Sequence, residues 1–317
     1  MTREIAKKAK RTLGRGLQDL SKISPTEVAQ TIAATPAVQT VSALDREQTF
    51  ARVICVTSGK GGTGKSIFSS NLATHFAQLG QKVIILDADL GLSNIHLLFG
   101  LAPTYNVSDL LNRKESLKNV MMRTPFGPRL ISGGSGLTEL ANLSDHHIEQ
   151  LTLAFADLEK EADLLLIDTP ASIVAQTMMF LYAANEIIVV TTPEITAIAD
   201  AYATIKVIVQ QNHPALIALV INRVRSKKEG EMVFSRLNKA CQQFLNKELV
   251  NYGHISEDRA VNRSIAERHP VTLSEPDSRA ARCIGRIANH IALVGKGYGE
   301  KLTLTTGDFF LRMQNQI

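Results

Sequence analysis

The sequence is poor in cysteine and has no long apolar run, and each shortage excludes a class of protein. Its three cysteines, Cys55, Cys241 and Cys283, are widely spaced and form no C-x-x-C pair, which indicates reduced thiols rather than a disulfide framework. No uninterrupted apolar stretch approaches the roughly 18 residues that a bilayer-spanning helix needs. The basic N-terminus lacks the apolar core of a secretory signal. We therefore expect a cytoplasmic protein, with Cys55 buried in the first strand.

The composition is that of an ordinary globular protein, but its charge is unevenly distributed. Of the 317 residues, 44% are hydrophobic and 21% are charged, and the length fits one large α/β domain or two small domains. The formal net charge of +5 resides in residues 1–22, which hold seven basic and two acidic side chains, so the remaining chain is neutral. Such a basic segment attracts nucleic acid, anionic lipid or an acidic protein surface, or it merely solubilises a frayed terminus.

Residues 59–66 read Gly-Lys-Gly-Gly-Thr-Gly-Lys-Ser and match the P-loop pattern G-x-x-x-x-G-K-S. An apolar run precedes this string at 53–56, and apolar residues at helical spacing follow it over 67–79. In this context glycines let backbone N–H groups surround a phosphate at a helix N-terminus. We predict that Lys65 reaches the β- and γ-phosphates and that Ser66 binds Mg²⁺. A chance glycine-rich turn is the alternative. The predicted nucleotide contacts in this segment are Gly61, Gly62, Thr63, Gly64, Lys65, Ser66 and Ile67.

Acidic residues follow two apolar runs that read as buried parallel strands. The run at 82–86 ends in Asp87 and Asp89, and the run at 163–167 ends in Asp168. Ligands bind at the carboxyl ends of strands in open α/β sheets, so we expect these acids beside the P-loop. We predict that Asp89 orients the attacking water, that Asp87 lies near the magnesium shell, and that Asp168 holds Mg²⁺ as a Walker B carboxylate. A strand-terminal acid that only caps the next turn is the alternative.

Alternation of apolar runs with helical patterns predicts an α/β fold, a doubly wound, mostly parallel sheet flanked by helices. We expect a basic N-terminal extension and linker at 1–50, a P-loop ATPase domain at 51–295 and a tail at 296–317. Asn222 and Arg223 follow a late strand, where the Asn222 amide either reads adenine or forms a turn. The expected strands lie near 53–56, 82–89, 129–132, 163–168, 186–191, 216–221 and 249–255. The expected helices are 67–79, 107–121, 145–160, 195–209, 229–245, 258–268 and 277–294.

The C-terminal tail has an apolar face of its own. When residues 308–317 are placed on a helix, Phe309, Phe310, Met313 and Ile317 share one side. This face suits a short anchor at anionic lipid headgroups, or a terminal helix that packs on its own domain.

The P-loop string, with its additional lysine Lys60, resembles the deviant Walker A motif of the MinD/ParA ATPases. The resemblance covers residues 52–294. Segments 86–94, 198–206 and 229–234 are similar to the flagellar number and placement regulators of the FlhG/FleN group. The Gly-Asp-Phe-Phe string in the tail is similar to the membrane-binding end of that group. The missing C-x-x-C pair argues against the iron–sulfur carriers among these ATPases.

This resemblance implies an ATP-hydrolysing switch that dimerises with ATP and Mg²⁺ and regulates flagellar number or placement. It gives Lys60 a catalytic role at the nucleotide of a partner subunit, makes Asp89 and Asp168 the switch I and switch II acids, and gives Asn222 the adenine contact. The implied partners are an anionic membrane surface, a flagellar signal-recognition-type GTPase, a transcriptional activator of flagellar genes and switch-ring components. The implied dimer and partner face comprises Lys60, Glu194 and Asp200.

Two residues and one short segment depart from the family pattern, and two other functions stay open. Ile67 stands where a second Thr or Ser usually contacts the α-phosphate, residues 169–172 replace a glycine-containing switch II, and Ser256 replaces a proline. One alternative is a ParA-like protein that partitions DNA, which the neutral charge of the chain beyond residue 22 disfavours. The other is MinD-like septum placement.

Overall fold

The computed structural model of the protein describes residues 51–89, 93–112, 114–134, 158–171, 175–211 and 215–298. Three sequence predictions concern residues outside these ranges and stay predictions. They are the basic N-terminal extension, most of the helix expected at 145–160, and the apolar tail face formed by Phe309, Phe310, Met313 and Ile317.

The strands in the described residues form one sheet that is mostly parallel, as predicted. They are β1 (Arg52–Thr57), β2 (Val83–Asp87), β3 (Met121–Arg123), β4 (Arg129–Ile131), β5 (Leu164–Asp168), β6 (Glu186–Thr191), β7 (Leu216–Val224) and β8 (Val250–Ser256). Their order across the sheet is β3-β4-β2-β5-β1-β6-β7-β8. Only the edge strand β3 among these eight is antiparallel to its neighbour.

Helices connect the strands and cover the sheet. In the described residues they are α1 (Lys65–Gln78), α2 (Ile95–Leu98), α3 (Val107–Leu111), α4 (Leu117–Val120), α5 (Leu158–Glu161), α6 (Ala175–Ala183), α7 (Ile195–Gln210), α8 (Lys227–Leu245), α9 (Arg259–Ala266), α10 (Val271–Ser274) and α11 (Arg279–Tyr298). The predicted domain boundary at 295/296 falls inside α11. No helix in the described part of the chain combines the length and apolarity needed to cross a membrane.

Alternate side chains of the central strands enter two separate cores. Val53 and Cys55 of β1 pack with residues of α6, α7 and α8, whereas Ile54 and Val56 pack with residues of α1, α9 and α11. Burial on both faces explains the continuous apolar runs of the sequence. Cys55 is buried in β1, as predicted. Because β1, β2 and β5 are parallel neighbours, their carboxyl ends meet at one edge of the sheet.

One predicted helix was wrong, and some helices of the structure were not expected from the sequence. The predicted helix at 107–121 is two short helices, because α3 ends at Leu111 and α4 begins only after Ser116. The next residues, Met121–Arg123, pair with β4, whose backbone groups complete their hydrogen bonds, so a strand replaces the end of the helix. Helices α2, α6 and α10 were also not predicted.

Candidate functional site

The loop between β1 and α1 has the backbone that the glycine-rich string predicts. Gly64 is the N-cap of α1 and has φ 87°, a left-handed conformation that L side chains rarely adopt. The loop also packs against α7, since a Cβ added to Gly59 would lie 2.3 Å from the backbone carbonyl carbon and oxygen of Asp200. The conformation of Gly64 and the contact at Gly59 therefore both require glycine, and the loop follows β1 at the carboxyl edge of the sheet.

Three predicted site residues meet directly behind this loop. The Lys65 Nζ donates to Asp168 Oδ2 over 2.7 Å, and the Ser66 Oγ donates to the same oxygen over 2.7 Å. The Asp168 side chain is only 1% exposed and the Lys65 side chain 9%, so the ion pair is nearly dry. A buried charge pair of this kind needs each partner, because removing one leaves the other charge without compensation.

These side chains fit a magnesium–nucleotide complex. A serine hydroxyl and a carboxylate are the hard oxygen ligands that Mg²⁺ prefers, and a lysine beside them supplies a point charge for phosphate. The loop also contains a buried hydroxyl, Thr63 Oγ1, without a hydrogen-bond partner among the described residues. Ser66 and Asp168 would hold the metal, whose charge would neutralise phosphate oxygens when bound.

One residue of this cluster was missed by the sequence analysis. Ser69 is fully buried on α1, and its Oγ donates to Asp168 Oδ1 over 2.6 Å. It follows Lys65 by four residues, so the two side chains lie on the same face of the helix. This four-residue spacing from Lys65 was the one signal for Ser69 in the sequence, and it does not indicate that Asp168 is the hydrogen-bond acceptor.

Asp87 lies beside Asp168 in the sheet but is directed at the chain that follows β2. Its Oδ2 accepts from Ser93 Oγ over 2.7 Å, Asn94 N over 2.8 Å and Ile95 N over 2.9 Å. Burial, then the charge of Asp168, raises the pKa of Asp87 to about 6, and these hydrogen bonds oppose the rise. Asp87 thus anchors the start of α2 in this structure.

Asp89 is half-buried two residues beyond β2, and its N–H donates to Asp87 Oδ1 over 3.3 Å. It therefore lies at the same edge of the sheet as the P-loop. Its predicted role in orienting water stays a prediction, as does a magnesium role for Asp87.

Lys60 lies on the outside of the loop, away from Asp168. Its Nζ donates to Glu194 Oε2 and Thr196 Oγ1, both over 2.9 Å, at the start of α7. The Lys60 hydrogen bond, followed by its charge, lowers the pKa of Glu194. Ile195 between these partners is 85% exposed. The structure thus brings Lys60 and Glu194 together on one exposed surface, while Asp200 lies further along α7 against Gly59.

Asn222 connects the end of β7 to the P-loop. Its Nδ2 donates to the Thr63 carbonyl oxygen over 2.7 Å, and its Oδ1 accepts from the Arg223 N–H over 2.9 Å. Arg223 has φ 57°, and the pairing of β7 with β8 shifts register across this position. Asn222 thus lies within β7 rather than in a turn, and the adenine contact stays a prediction.

A cavity of about 880 Å³ opens beside Asn222 and the P-loop. Its apolar wall includes Ile255 and Ile284, which suits the faces of a nucleobase. The end of β8 and the segment after it contribute further wall residues, which were not predicted as site residues because their place in the fold depends on the sheet order. They are Ser256, Glu257, Asp258, Arg259, Val261, Asn262 and Ile265.

The fold and this site define a P-loop NTPase. The ParA family model, described as "NUBPL iron-transfer P-loop NTPase", matches residues 49–292, and the chain belongs to this family. It is an ATPase of the ParA/MinD type. The match establishes family membership and not iron transfer. The sequence has no C-x-x-C pair, and the described residues contain no group of three or more His, Cys, Asp or Glu side chains that could hold a metal.

Similar proteins include an antiactivator and a flagellum site-determining protein. The chain is 35% identical over 240 residues to "Antiactivator FleN" of Pseudomonas aeruginosa, covering 76% of this chain and 86% of that protein. It is 34% identical over 238 residues to "Flagellum site-determining protein YlxH" of Helicobacter pylori, covering 75% and 80%. The septum site-determining protein MinD of Pyrococcus horikoshii, solved with Mg-ADP, has a TM-score of 0.63 at 25% identity and covers 76% of this chain and 96% of that one.

Proposed function

We propose that the protein is an ATP-dependent dimerising switch that regulates flagellar number or placement from the membrane surface. One observation supports the proposed dimer. Lys60 belongs to the P-loop, yet its ammonium group lies on the exposed surface with Glu194 and Thr196 rather than at Asp168. A cation at that position is available to a second copy that faces the loop, where it would stabilise charge on the phosphates of that copy.

The residues of one chain then divide the work of hydrolysis. The P-loop N–H groups and Lys65 bind the phosphates, Ser66 and Asp168 hold Mg²⁺, and Asp89 orients water for attack. Binding of phosphate by Lys65 competes with its ion pair to Asp168, so nucleotide would release that carboxylate toward the metal. Lys60 would compensate the developing charge across the dimer.

The flagellar assignment rests on the similarity to FleN and YlxH, whose names describe an antiactivator and a flagellum site-determining protein. By the same resemblance the partners would be a signal-recognition-type GTPase, a flagellar transcriptional activator or switch components. The apolar tail residues Phe309, Phe310, Met313 and Ile317 would bind anionic membrane when the dimer forms.

Co-sedimentation with vesicles tests this proposal. We expect the full chain to sediment with phosphatidylglycerol-containing vesicles in ATP and Mg²⁺ but not in ADP, and to stay in the supernatant with neutral vesicles. Lys60→Ala and removal of residues 308–317 should each abolish sedimentation. Lys82→Ala is the matched control, because Lys82 is an exposed lysine at the opposite end of the sheet.

The same samples with duplex DNA separate the competing function. ATP-dependent retention on DNA without lipid binding would refute the membrane switch and favour DNA partitioning. Lipid binding that persists in ADP or in Lys60→Ala would contradict the dimer mechanism.

A further inference from the structure

We propose that Ser69 is a positioning residue for magnesium, which it serves by fixing the orientation of the Asp168 carboxylate. The inference rests on the proposed assignment of Asp168 to the metal site. It concerns a side chain that the P-loop pattern does not include.

The two oxygens of Asp168 have different surroundings. Oδ2 accepts from Lys65 and Ser66, the two P-loop side chains that would bind phosphate and metal. Oδ1 accepts from Ser69 at 2.6 Å, the shortest of the three contacts. Ser69 therefore leaves Oδ2 on the side of the nucleotide.

The Asp168 backbone is already fixed, so the side-chain torsions are what Ser69 controls. Asp168 lies opposite Val56 of β1 and opposite Asp87 of β2, and its carbonyl oxygen accepts from the Ala88 N–H over 2.8 Å. A strand held on both sides cannot move to compensate for a rotated carboxylate. An unconstrained carboxylate could still turn Oδ2 away from the metal position.

Nucleotide binding makes this contact more important. Lys65 and Ser66 would exchange Asp168 for phosphate and metal, and Oδ2 would lose both of its present donors. Ser69 is completely buried behind the loop and keeps its acceptor during that exchange. It would then be the donor that preserves the carboxylate orientation when Mg²⁺ enters, as partners behind metal ligands commonly do.

The experiment compares Ser69→Ala with Ser70→Ala in the full-length protein, using ADP so that hydrolysis and dimerisation do not contribute. Ser70 is the matched control because it is also buried on α1, but its Oγ donates to the Ile67 carbonyl and not to Asp168. ADP affinity is measured by calorimetry in EDTA and in saturating Mg²⁺, and Mg²⁺ is titrated into the ADP complex.

In Ser69→Ala we expect the Mg²⁺ concentration for half-saturation to rise about 10–100-fold. The ADP affinity in EDTA should change less than about twofold, and Ser70→Ala should match the wild type in both. Ser69→Thr keeps the hydroxyl and should restore the Mg²⁺ response. Thermal unfolding of each variant without nucleotide identifies a variant that has not folded.

Equal Mg²⁺ dependence in Ser69→Ala and wild type would overturn the proposal. So would an equal loss of ADP affinity with and without metal, which indicates a merely structural hydroxyl. If Mg²⁺ does not change the ADP affinity of the wild-type protein, the proposal also fails, because there is then no metal site for Ser69 to support. None of these outcomes depends on lipid binding, so failure here is distinct from failure of the proposed membrane switch.

Discussion

The contact between Gly64 and Asn222 predicts that substitutions at the two positions are not additive. A Cβ at Gly64 would lie 2.3 Å from Asn222 Nδ2, far inside contact distance. Gly64→Ala must therefore displace the Asn222 amide and break its hydrogen bond to the Thr63 carbonyl oxygen. Once Asn222→Ala has removed that amide, the added methyl group meets no obstacle there.

The magnitude follows from two separate costs. Breaking the Asn222 hydrogen bond costs about 0.5–1.5 kcal/mol, and forcing alanine into a left-handed conformation costs about 1–2 kcal/mol. Gly64→Ala incurs both costs, Asn222→Ala incurs the first, and the double variant incurs each only once. The double variant should therefore be more stable than additivity predicts by about 0.5–1.5 kcal/mol, the value of the shared hydrogen bond.

Urea unfolding of the nucleotide-free protein in EDTA measures this coupling. Gly80→Ala is the control, because Gly80 has φ +84° but no atom within 4 Å of an added Cβ. The stability cost of Gly80→Ala comes only from the backbone conformation, so it should add to the stability cost of Asn222→Ala. The reasoning is refuted if Gly64→Ala and Asn222→Ala add as the control pair does.

The contact between Asn222 and the P-loop also predicts how Asn222→Ala changes the relative affinities for ATP and GTP. If Asn222 acts mainly by holding the P-loop, Asn222→Ala should weaken ATP and GTP binding by the same factor, since both use that loop. A loss confined to ATP would instead support the adenine contact.

Three further predictions concern other parts of the molecule. Arg52→Ala should destabilise the protein by about 3–5 kcal/mol, because it leaves the buried Glu186 carboxylate unpaired, and Arg52→Ala/Glu186→Gln should recover part of that loss in urea unfolding. The three cysteine thiols should react with DTNB only after denaturation, because all three are buried. Burial also raises the pKa of Cys55 and raises that of Cys241 to about 11, which disfavours the reactive thiolate. Rapid reaction of the native protein would contradict this prediction. Ile195→Asp should prevent ATP-dependent dimerisation in analytical ultracentrifugation while ATP still binds, because Ile195 adjoins the Lys60 contact; an unchanged dimer would place the interface elsewhere.

The sequence alone predicted the features that depend on local patterns. Glycine spacing with a lysine and a serine indicates a P-loop, and apolar runs that end in acids place Asp87 and Asp168 at one edge of a parallel sheet. Both follow from neighbouring residues. The structure confirms that edge, because the two acids are opposite each other in adjacent strands.

Features that depend on contacts between residues distant in the chain could not be predicted from the sequence. Ser69 is 99 residues from its acceptor Asp168, and neither residue indicates the other. Met121 ends a predicted helix, but in the structure Met121–Arg123 gains hydrogen bonds from β4 that a local pattern does not register. The cavity wall after β8 joins the P-loop because β8 lies at the sheet edge beyond β7.

The two lysines of the P-loop show why one chain is an incomplete catalyst in the proposed mechanism. Lys65 is buried against Asp168 and needs no partner subunit to reach a phosphate bound in its own loop. Lys60 is 40% exposed, and Glu194 and Thr196 hold it on the surface of α7. A second cation outside its own site contributes to hydrolysis only when a facing surface brings a phosphate to it. Nucleotide binding and dimerisation would then be separable by substitution, with Lys65→Ala abolishing both and Lys60→Ala only the second.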